Sequence, residues 1–257
     1  MKPHDRYRIA ELRDRLRPLG LHYVPTVGST HALAEAALRS GRLRPPVVVL
    51  ASRQTAGRGR GTATWWSGAG CITMTLALSP LRRLPPHELS IRAAVAIVEA
   101  FGVDAVQIKW PNDLVARGPD GAWRKLGGIL CHRLAEADLV GIGLNVNLAP
   151  SRFPATLRRR ATSLRGVCGR SMDLTALAAA IAARVADALD LRHMMSFDAI
   201  LTRYRGRDAL RGRSIRVDVG DGGTMLGRAR GIDPRGCLII KSNKGLRSIA
   251  SGHIRAW

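Results

Sequence analysis

The sequence is organised around Gln54-Thr55-Ala56-Gly57-Arg58-Gly59-Arg60-Gly61, which follows closely on the apolar run Val47-Val48-Val49-Leu50-Ala51. The apolar run predicts a buried strand. In the stretch after it, glycine lets the backbone come close to a ligand, and arginine offers a planar fork of donors that suits phosphate or carboxylate. Trp65 and Trp66 come shortly afterwards. The pattern therefore predicts a cationic loop at the end of a strand, suited to an anionic ligand that carries a flat ring.

The length and composition place bounds on the fold and on the compartment. At 257 residues the chain is long enough for one large domain and one small one. It has no run of 18 or more apolar residues, so no transmembrane helix is expected, and its charged start, Met1 to Arg6, does not predict a signal peptide. The four cysteines form no CxxC pair, which favours free thiols over a zinc site. These features predict a cytoplasmic protein with no membrane partner and no structural metal.

The formal net charge of +22 raises a nucleic-acid-binding hypothesis. Only five of the 41 basic residues are lysine, and the arginines are spread from end to end. That distribution is more typical of a compositional preference for arginine than of a dedicated patch. A basic surface would also attract ATP or an acidic protein partner. The charge alone therefore does not decide between these function classes.

The apolar periodicity predicts an α+β fold for most of the chain. Helices are expected at Arg6 to Arg17, His31 to Ser40, Glu88 to Ala100, Asp173 to Leu191 and Ser196 to Arg207. Strands are expected at Leu21 to Val24, Val47 to Ser52, Gly70 to Leu78, Val106 to Trp110, Asp113 to Ala116, Trp123 to Cys131 and Leu139 to Val146. Because the regular alternation of a doubly wound sheet is absent, we predict a mixed sheet with antiparallel neighbours. Gly141 and Gly143 in the last strand indicate a close approach to its backbone.

The composition changes near Leu210. From Arg213 to Trp257, short alternating runs are separated by turn sequences at residues 220–223, 233–236 and 243–245. Such spacing predicts four or five short strands in a small barrel. We place the domain boundary at Asp208 to Arg213, which gives a domain of residues 1–208 followed by one of residues 209–257.

Three further motifs contain candidate binding groups, and each has a purely structural alternative. Gly28-Ser29-Thr30 precedes a helix, which its hydroxyls can simply cap, or they can also hold a polar group of a ligand. Lys109-Trp110-Pro111-Asn112-Asp113 combines a cation, a large aromatic, a turn and a carboxylate, although a capped strand end would also explain it. Lys125 lies in a strand of mostly apolar residues and glycines, where it could be an ordinary snorkelling lysine. The Gly-Arg loop matches neither a P-loop nor a dinucleotide-binding motif.

The order of these motifs, continued by Lys125-Leu126-Gly127-Gly128-Ile129-Leu130 and Gly141-Ile142-Gly143-Leu144-Asn145-Val146-Asn147, resembles that of the biotin protein ligases. The resemblance covers nearly the whole chain from Val24 onward. It implies a mixed-sheet, biotin/lipoate ligase-like catalytic domain over residues 1–208 and a small SH3-like β-barrel over residues 209–257. It also implies a two-step reaction. Biotin's carboxylate attacks the α-phosphate of Mg-ATP to give biotinyl-5′-AMP and pyrophosphate, and the acyl group then passes to a lysine of a biotin carboxyl carrier protein.

The resemblance further implies roles for individual residues. Biotin is expected to bind Ser29, Thr30, His31, Gln54, Arg58, Gly59, Arg60 and Lys125. ATP, together with Mg²⁺, is expected to bind Arg60, Trp65, Lys109, Asn112, Lys125 and Asn145. Arg58, Arg60 and Lys125 would neutralise carboxylate and phosphate charge in the transition state. Asp113, the fourth candidate catalytic residue, would orient the incoming lysine amine or help with Mg²⁺.

The sequence departs from the family's pattern in two places. The Ser-Thr pair is usually preceded by aspartate and followed by asparagine, whereas this chain has Gly28 and His31. The loop reads Gly61-Thr62 where a further arginine and glycine are common. His31 is a bulkier, titratable replacement in the part expected to hold biotin's head group.

The first catalytic motif begins near residue 28, so we expect a ligase without an N-terminal DNA-binding domain or a specific DNA partner, as a monomer or homodimer.

Two alternatives stay open. One is a related ligase of the same fold that acts on lipoate or another acid, which His31 leaves open although Lys109 to Asp113 and the terminal barrel argue against it. The other is a nucleic-acid-binding module that uses the basic surface, for which steeply salt-dependent binding without ATP turnover would be the signature.

Overall fold

The computed structural model describes residues 6–81, 84–219 and 223–257. The start of the chain through Asp5 and most of the turn predicted at residues 220–223 lie outside the described residues. Nine strands lie in the described residues of the first part of the chain. They are β1 (Gly20–Val27), β2 (Val47–Gln54), β3 (Gly57–Arg58), β4 (Thr64–Trp65), β5 (Cys71–Leu78), β6 (Gln107–Lys109), β7 (Asp113–Arg117), β8 (Trp123–Arg133) and β9 (Asp138–Asn145).

Seven of these strands form one mixed sheet in the order β1-β2-β5-β9-β8-β7-β6. The β1–β2 pair is parallel, and every other neighbouring pair is antiparallel. This arrangement confirms the prediction of an α+β fold with a mixed sheet. The remaining strands, β3 and β4, form a short antiparallel hairpin.

Helices pack on both faces of the sheet. They are α1 (Ile9–Leu16), α2 (Thr30–Arg39), α3 (Pro86–Phe101), α4 (Leu164–Cys168), α5 (Leu174–Ala188) and α6 (Phe197–Arg205), with a short 3₁₀ turn at Pro150–Arg152. Strand β2 shows why both faces are covered, since alternate side chains point to opposite sides. Val47 and Val49 pack in one apolar cluster with α2, whereas Val48 and Leu50 belong to the larger cluster that contains α3 and α5. Helix α2 packs beside β2, β5 and β9, and a large cavity lies next to its N-terminus.

Three helices, α1, α5 and α6, are shorter than the sequence pattern predicts. Helix α5 ends at Ala188, where the prediction extended to Leu191. Leu189 leaves the helix with its side chain still buried, and the Asp190 carboxylate accepts the backbone N–H of Arg192 in a turn. Helix α1 begins at Ile9 and buries Leu12 and Leu16, and residues 6–8 before it are not helical.

The end of the chain forms a second, antiparallel sheet. Its strands are β10 (Ser214–Val219), β11 (Thr224–Ile232), β12 (Leu238–Ser242), β13 (Gly245–Ile249) and β14 (Gly252–Ala256). They are ordered β13-β12-β11-β10-β14, which confirms the upper end of the predicted strand number. The SH3-like closure and the exact domain boundary stay predictions.

The C-terminal sheet is docked firmly on the larger domain. Trp110 is buried, and its indole N–H donates to the carbonyl of Gly236 at 3.0 Å, in the turn between β11 and β12. Val217 and Ile240 belong to the same apolar cluster as α3 and α5. The second domain therefore has a defined position at the mouth of the cavity. None of the helices in the described ranges is sufficiently long and apolar to cross a membrane.

Candidate active site

A cavity of about 890 Å³, counted to its solvent-filled mouth, opens beside the N-terminus of α2. Residues from α2, the β3–β4 hairpin, β8, β9 and the C-terminal strand β14 line it. Every predicted site residue except Asn145 is among them. They are Ser29, Thr30, His31, Gln54, Arg58, Gly59, Arg60, Trp65, Lys109, Asn112, Asp113 and Lys125. Segments separated by almost a hundred residues are thus brought to one place.

A neutral hydrogen-bond network lies at the α2 end of the cavity. The backbone N–H and the hydroxyl of Thr30 both donate to Oε1 of Gln54, at 2.7 and 3.0 Å. The same hydroxyl lies 3.0 Å from the hydroxyl of Thr75 on β5. Because Thr30 occupies the oxygen of Gln54, the Nε2 amide is the end able to donate to a ligand. Ser29 caps α2 by accepting the N–H of Ala32, so the capping alternative is confirmed for this residue.

His31 is buried at the same end of the cavity. Its ring stacks on that of His132, with the centroids 6.0 Å apart. Its Nδ1 is buried and has no hydrogen-bond partner among the described residues. Burial lowers the pKa of His31 to about 4, and the neighbouring charges of His132 and Arg58 act in the same direction. The imidazole is therefore neutral at physiological pH.

The two glycines predicted to mark a close approach in β9 do so. A Cβ on Gly141 would lie 2.9 Å from Nδ1 of His31, and one on Gly143 would lie 2.5 Å from Cε2 of Trp65. The indole of Trp65 thus lies directly on the sheet. Gly57 serves the hairpin in a similar way, since a Cβ there would meet the carbonyl oxygen of Trp65 at 2.4 Å. The hairpin can approach the sheet only because these positions lack side chains.

The opposite end of the cavity is cationic. Nζ of Lys125 lies 2.6 Å from the carboxylate of Asp113. Lys109 is half-buried beside them, and its ammonium lies 5.3 Å from the centre of the Trp257 ring. Burial lowers the pKa of Lys109, and the charge of Lys125 adds to that effect while Asp113 opposes it. Arg60 donates to the carbonyl of Gly252 in the C-terminal domain at 3.5 Å.

The two asparagines expected to hold the nucleotide are committed to the backbone. Nδ2 of Asn112 donates to the carbonyl of Ile129 at 2.7 Å, which ties the turn before β7 to β8. Asn145 is buried and donates to the carbonyl of Thr162 at 3.1 Å. The N–H of Thr162 in turn donates to the carbonyl of Lys125 at 2.9 Å. The structure therefore places Asn145 outside the cavity lining, as a support of the Lys125 backbone through Thr162.

Several lining residues escaped the sequence analysis. Thr75 looks like any β-branched residue of a buried strand, and no sequence signal distinguishes it. Gly252 and His253 reach the cavity only because the C-terminal domain docks there. Burial and the positive charges of Arg255 and Lys109 lower the pKa of His253. The roles of Gly252 and His253 depend on the position of the C-terminal domain relative to the larger one, which local sequence does not reveal.

The cavity thus has two chemically distinct ends. The neutral end consists of Ser29, Thr30, His31, Gln54 and Thr75. The cationic end consists of Arg60, Lys109 and Lys125, with Asp113 between the two lysines. Arg58, on the same hairpin as Arg60, also lines the cavity, and its charge acts on His31. Within the described part of the chain, no group of three or more His, Cys, Asp or Glu side chains is arranged to hold a metal ion.

The chain is similar to known proteins over most of its length. The profile of the Biotin/lipoate A/B protein ligase family matches residues 23–148, and that of the Biotin protein ligase C terminal domain matches residues 212–255. The Paracoccus denitrificans biotin–[acetyl-CoA-carboxylase] ligase is 32% identical, over 86% of this chain and 95% of that protein. The Bacillus subtilis bifunctional ligase/repressor BirA is 34% identical, over 89% of this chain and 70% of BirA. The fold matches a biotin protein ligase from Aquifex aeolicus in complex with biotin and ATP, with a TM-score of 0.79, 24% identity and coverage of 91% and 97% of the two chains.

Proposed function

The chain belongs to the biotin protein ligase family, and on that premise we propose that it activates biotin with ATP and transfers it to a lysine of a biotin carboxyl carrier domain. The cavity supports this proposal because a neutral, hydrogen-bonding end adjoins a cationic end. Biotin has the matching character, with an uncharged ureido ring at one end and a carboxylate at the other. ATP adds a triphosphate, which needs the same cations as the carboxylate.

We assign the ureido ring to the neutral end. The Nε2 amide of Gln54 is oriented by Thr30 and can donate to the ureido oxygen, while the Ser29 and Thr30 hydroxyls can serve the ring's other polar atoms. The neutral imidazole of His31 adds one donor and one acceptor without adding charge. The uncharged ring therefore meets hydroxyl, amide and imidazole groups, and the nearby Arg58 is exposed to solvent, so no unpaired charge is buried.

We assign the reacting groups to the cationic end. In the first step a carboxylate oxygen of biotin attacks the α-phosphorus of MgATP, and an O–P bond forms as the bond to pyrophosphate breaks. Two anions must come together, so Arg58, Arg60 and Lys125 lower the barrier by balancing the charge that develops. Magnesium enters as part of the nucleotide substrate, and Asp113 is the carboxylate in the cavity lining that can reach it.

In the second step the amine nitrogen of the acceptor lysine attacks the acyl carbon of biotinyl-AMP. A C–N bond forms, the bond to AMP breaks, and the amine loses a proton. Asp113 is paired with Lys125 at 2.6 Å before substrate binds. When phosphate draws Lys125 away, the carboxylate becomes free to orient the amine and accept its proton.

The single observation that carries the proposal is that the neutral and cationic ends share one cavity. The test is ATP–pyrophosphate exchange with the purified protein and biotin, lipoate or octanoate in turn. We expect exchange with biotin at least tenfold faster than with the other acids, since only biotin presents a ureido ring to the neutral end. Exchange with lipoate but not with biotin would contradict the proposal and favour the related acyl ligase.

A further inference from the structure

One face of the C-terminal sheet carries cations opposite one another, and no carboxylate of the described residues lies between them. The strand register pairs Arg228 with Lys241 and Arg216 with Leu226, and it pairs Lys241 again with Leu246 on β13. Directly paired residues of an antiparallel sheet point to the same side, so all five share one face. The other face is apolar and buried, as Val217 and Ile240 show. We call the exposed side the outer face, consisting of Arg216, Leu226, Arg228, Lys241 and Leu246.

The outer face is unfavourable as a free surface. Like charges directly opposite each other on neighbouring strands destabilise a sheet, and Arg228 faces Lys241. Leu226 and Leu246 are 60% and 67% exposed, and the described residues contain only one other large apolar side chain that is exposed in this way, Leu191. Exposed leucines beside unbalanced cations are typical of a surface that is covered when the protein functions.

The outer face borders an open depression. The described lining of this depression contains five basic side chains and no carboxylate. The five are Arg216, Arg228, Lys241, Lys244 and Arg247. The nearest carboxylate along β10 is Asp218, which is already paired with Arg255. An occupant that matches this surface is acidic and carries apolar side chains.

The outer face leads directly into the catalytic cavity. Asp218 is two residues along β10 from Arg216 and is paired with His253 on β14. His253 lines the catalytic cavity. At about 3.4 Å per residue, the step from Arg216 to Asp218 is only about 7 Å. A folded domain of about 100 residues has a radius of gyration of about 13 Å, so one docked on the outer face would also reach the cavity mouth.

We propose that the outer face docks the protein that accepts biotin, through an acidic surface of that protein which also presents apolar side chains. The inference rests on the proposed function, because the acceptor must bring a lysine to this mouth. A protein fits the surface better than a nucleic acid does, since the outer face has leucines and no aromatic side chain on which bases could stack.

The test separates adenylation from transfer. In the variant Arg216→Glu/Lys241→Glu, the Arg228 guanidinium keeps its hydrogen bond to the carbonyl of Gly212, and the carboxylate introduced at position 241 would face Arg228, so the fold should be retained. We measure ATP–pyrophosphate exchange with biotin, and the rate of biotin transfer to the organism's own biotin carboxyl carrier domain at varied concentrations. We expect the KM for the carrier to rise about tenfold or more with a weaker salt dependence, and exchange to stay within about twofold.

Two further variants make the result specific. Leu226→Ser/Leu246→Ser tests the apolar component without a change of charge, and we expect it to raise the carrier KM about threefold. Arg44→Glu/Arg184→Glu is the matched control, because it makes the same charge change at exposed positions of the larger domain. It should leave the carrier KM within about twofold.

Each other outcome overturns the inference. An unchanged carrier KM in Arg216→Glu/Lys241→Glu refutes the docking face. An equal rise of the carrier KM in Arg44→Glu/Arg184→Glu also refutes it, because the effect would then come from net charge alone. If the variant loses binding to single-stranded RNA or to phosphatidylserine vesicles while its carrier KM is unchanged, the face serves that partner instead. Failure of the wild-type protein to exchange with biotin is a different result, since it refutes the proposed function itself.

Discussion

The neutral and cationic ends of the cavity are built from different kinds of structure. At the neutral end, Thr30, Gln54 and Thr75 belong to regular elements of the main sheet and its helix, and they hydrogen-bond one another. At the cationic end, Arg60 is on a hairpin, Lys109 is on an edge strand, and both contact the C-terminal domain. The neutral end is therefore complete within one domain, whereas the cationic end needs two.

The difference extends to electrostatics. The neutral end has its polar groups satisfied by one another, apart from atoms such as Nδ1 of His31. At the cationic end, Lys109 and Lys125 repel each other and Asp113 is the carboxylate between them. Substrate anions would relieve that repulsion, so this end gains most from binding. We infer that the neutral end selects the acid, and that the cationic end supplies most of the rate enhancement.

Replacement of Lys125 should give the largest effect. For Lys125→Ala we expect adenylation, measured by ATP–pyrophosphate exchange, to fall about 100-fold, because a charge that stabilises the transition state is lost. The free energy of unfolding should change by no more than about 1 kcal/mol, since the Lys125 side chain is 43% exposed in its pair with Asp113. Lys244→Ala, an exposed lysine of the C-terminal domain, is the matched control. If both variants exchange at the wild-type rate, the assignment of rate enhancement to the cationic end fails.

A methyl group at Gly143 should act on the hairpin that carries two of the cations. In Gly143→Ala the new Cβ would overlap the Trp65 ring at 2.5 Å, so the indole and the attached hairpin must move. We expect kcat/KM for exchange to fall about thirtyfold, because arginines displaced by about 1 Å stabilise the transition state poorly. Gly206→Ala is the control, since a Cβ there makes only an ordinary contact of 3.5 Å with the carbonyl of Arg203. Equal activity of the two variants would show that the position of Trp65 is unimportant.

Removal of the Thr30 hydroxyl should weaken the neutral end alone. In Thr30→Val, the Oε1 atom of Gln54 keeps the backbone N–H of Thr30 and loses the hydroxyl donor. We expect the KM for biotin to rise about tenfold while kcat changes little, since these groups bind the same part of the substrate throughout the reaction. Thr73→Val removes an equally buried hydroxyl on β5 that donates to the carbonyl of Ala51, outside the cavity. A similar rise in the KM for biotin in both variants would show that loss of a buried hydroxyl destabilises the protein in general, and would contradict a specific role of Thr30 in binding biotin.

Most residues of the two ends of the cavity could be predicted from the sequence, whereas the contacts that they make could not. The Gly-Arg stretch and Lys125 stand out because glycine and cations are unusual beside buried strands, and their order along the chain adds specificity. The glycines of β9 predicted close approach, but not that His31 and Trp65 are the groups that approach. Trp110 belongs to a motif of the site and lines the cavity, but its indole also holds the C-terminal domain through Gly236, a contact that local sequence does not predict. Asn145 stands next to a motif of the site but faces away from the cavity, because the direction of a side chain depends on the exact register of its strand.

The smallest expected effect concerns His31 and the charge of the neutral end. Burial lowers the pKa of His31 to about 4 from an ordinary value of 6.5. Between these values the unfolded chain binds a proton that the folded protein does not, so this residue makes the folded state less stable as the pH falls. From pH 6.5 to pH 5.5 we expect it to remove about 1 kcal/mol from the free energy of unfolding.

Urea unfolding of the wild type, of His31→Asn and of His22→Gln across that pH range measures this contribution. In His31→Asn this part of the pH dependence of the unfolding free energy should disappear. In His22→Gln, which replaces a histidine outside the cavity, it should remain. If His31→Asn retains the full pH dependence, the imidazole takes up its proton at the same pH in the folded protein as in the unfolded chain. The end opposite Lys125 would then become cationic as the pH falls through 6.5, and selection of an uncharged ring there could not be ascribed to a neutral His31. Loss of the slope in His31→Asn would instead support the view that the cavity separates a charged half from an uncharged one.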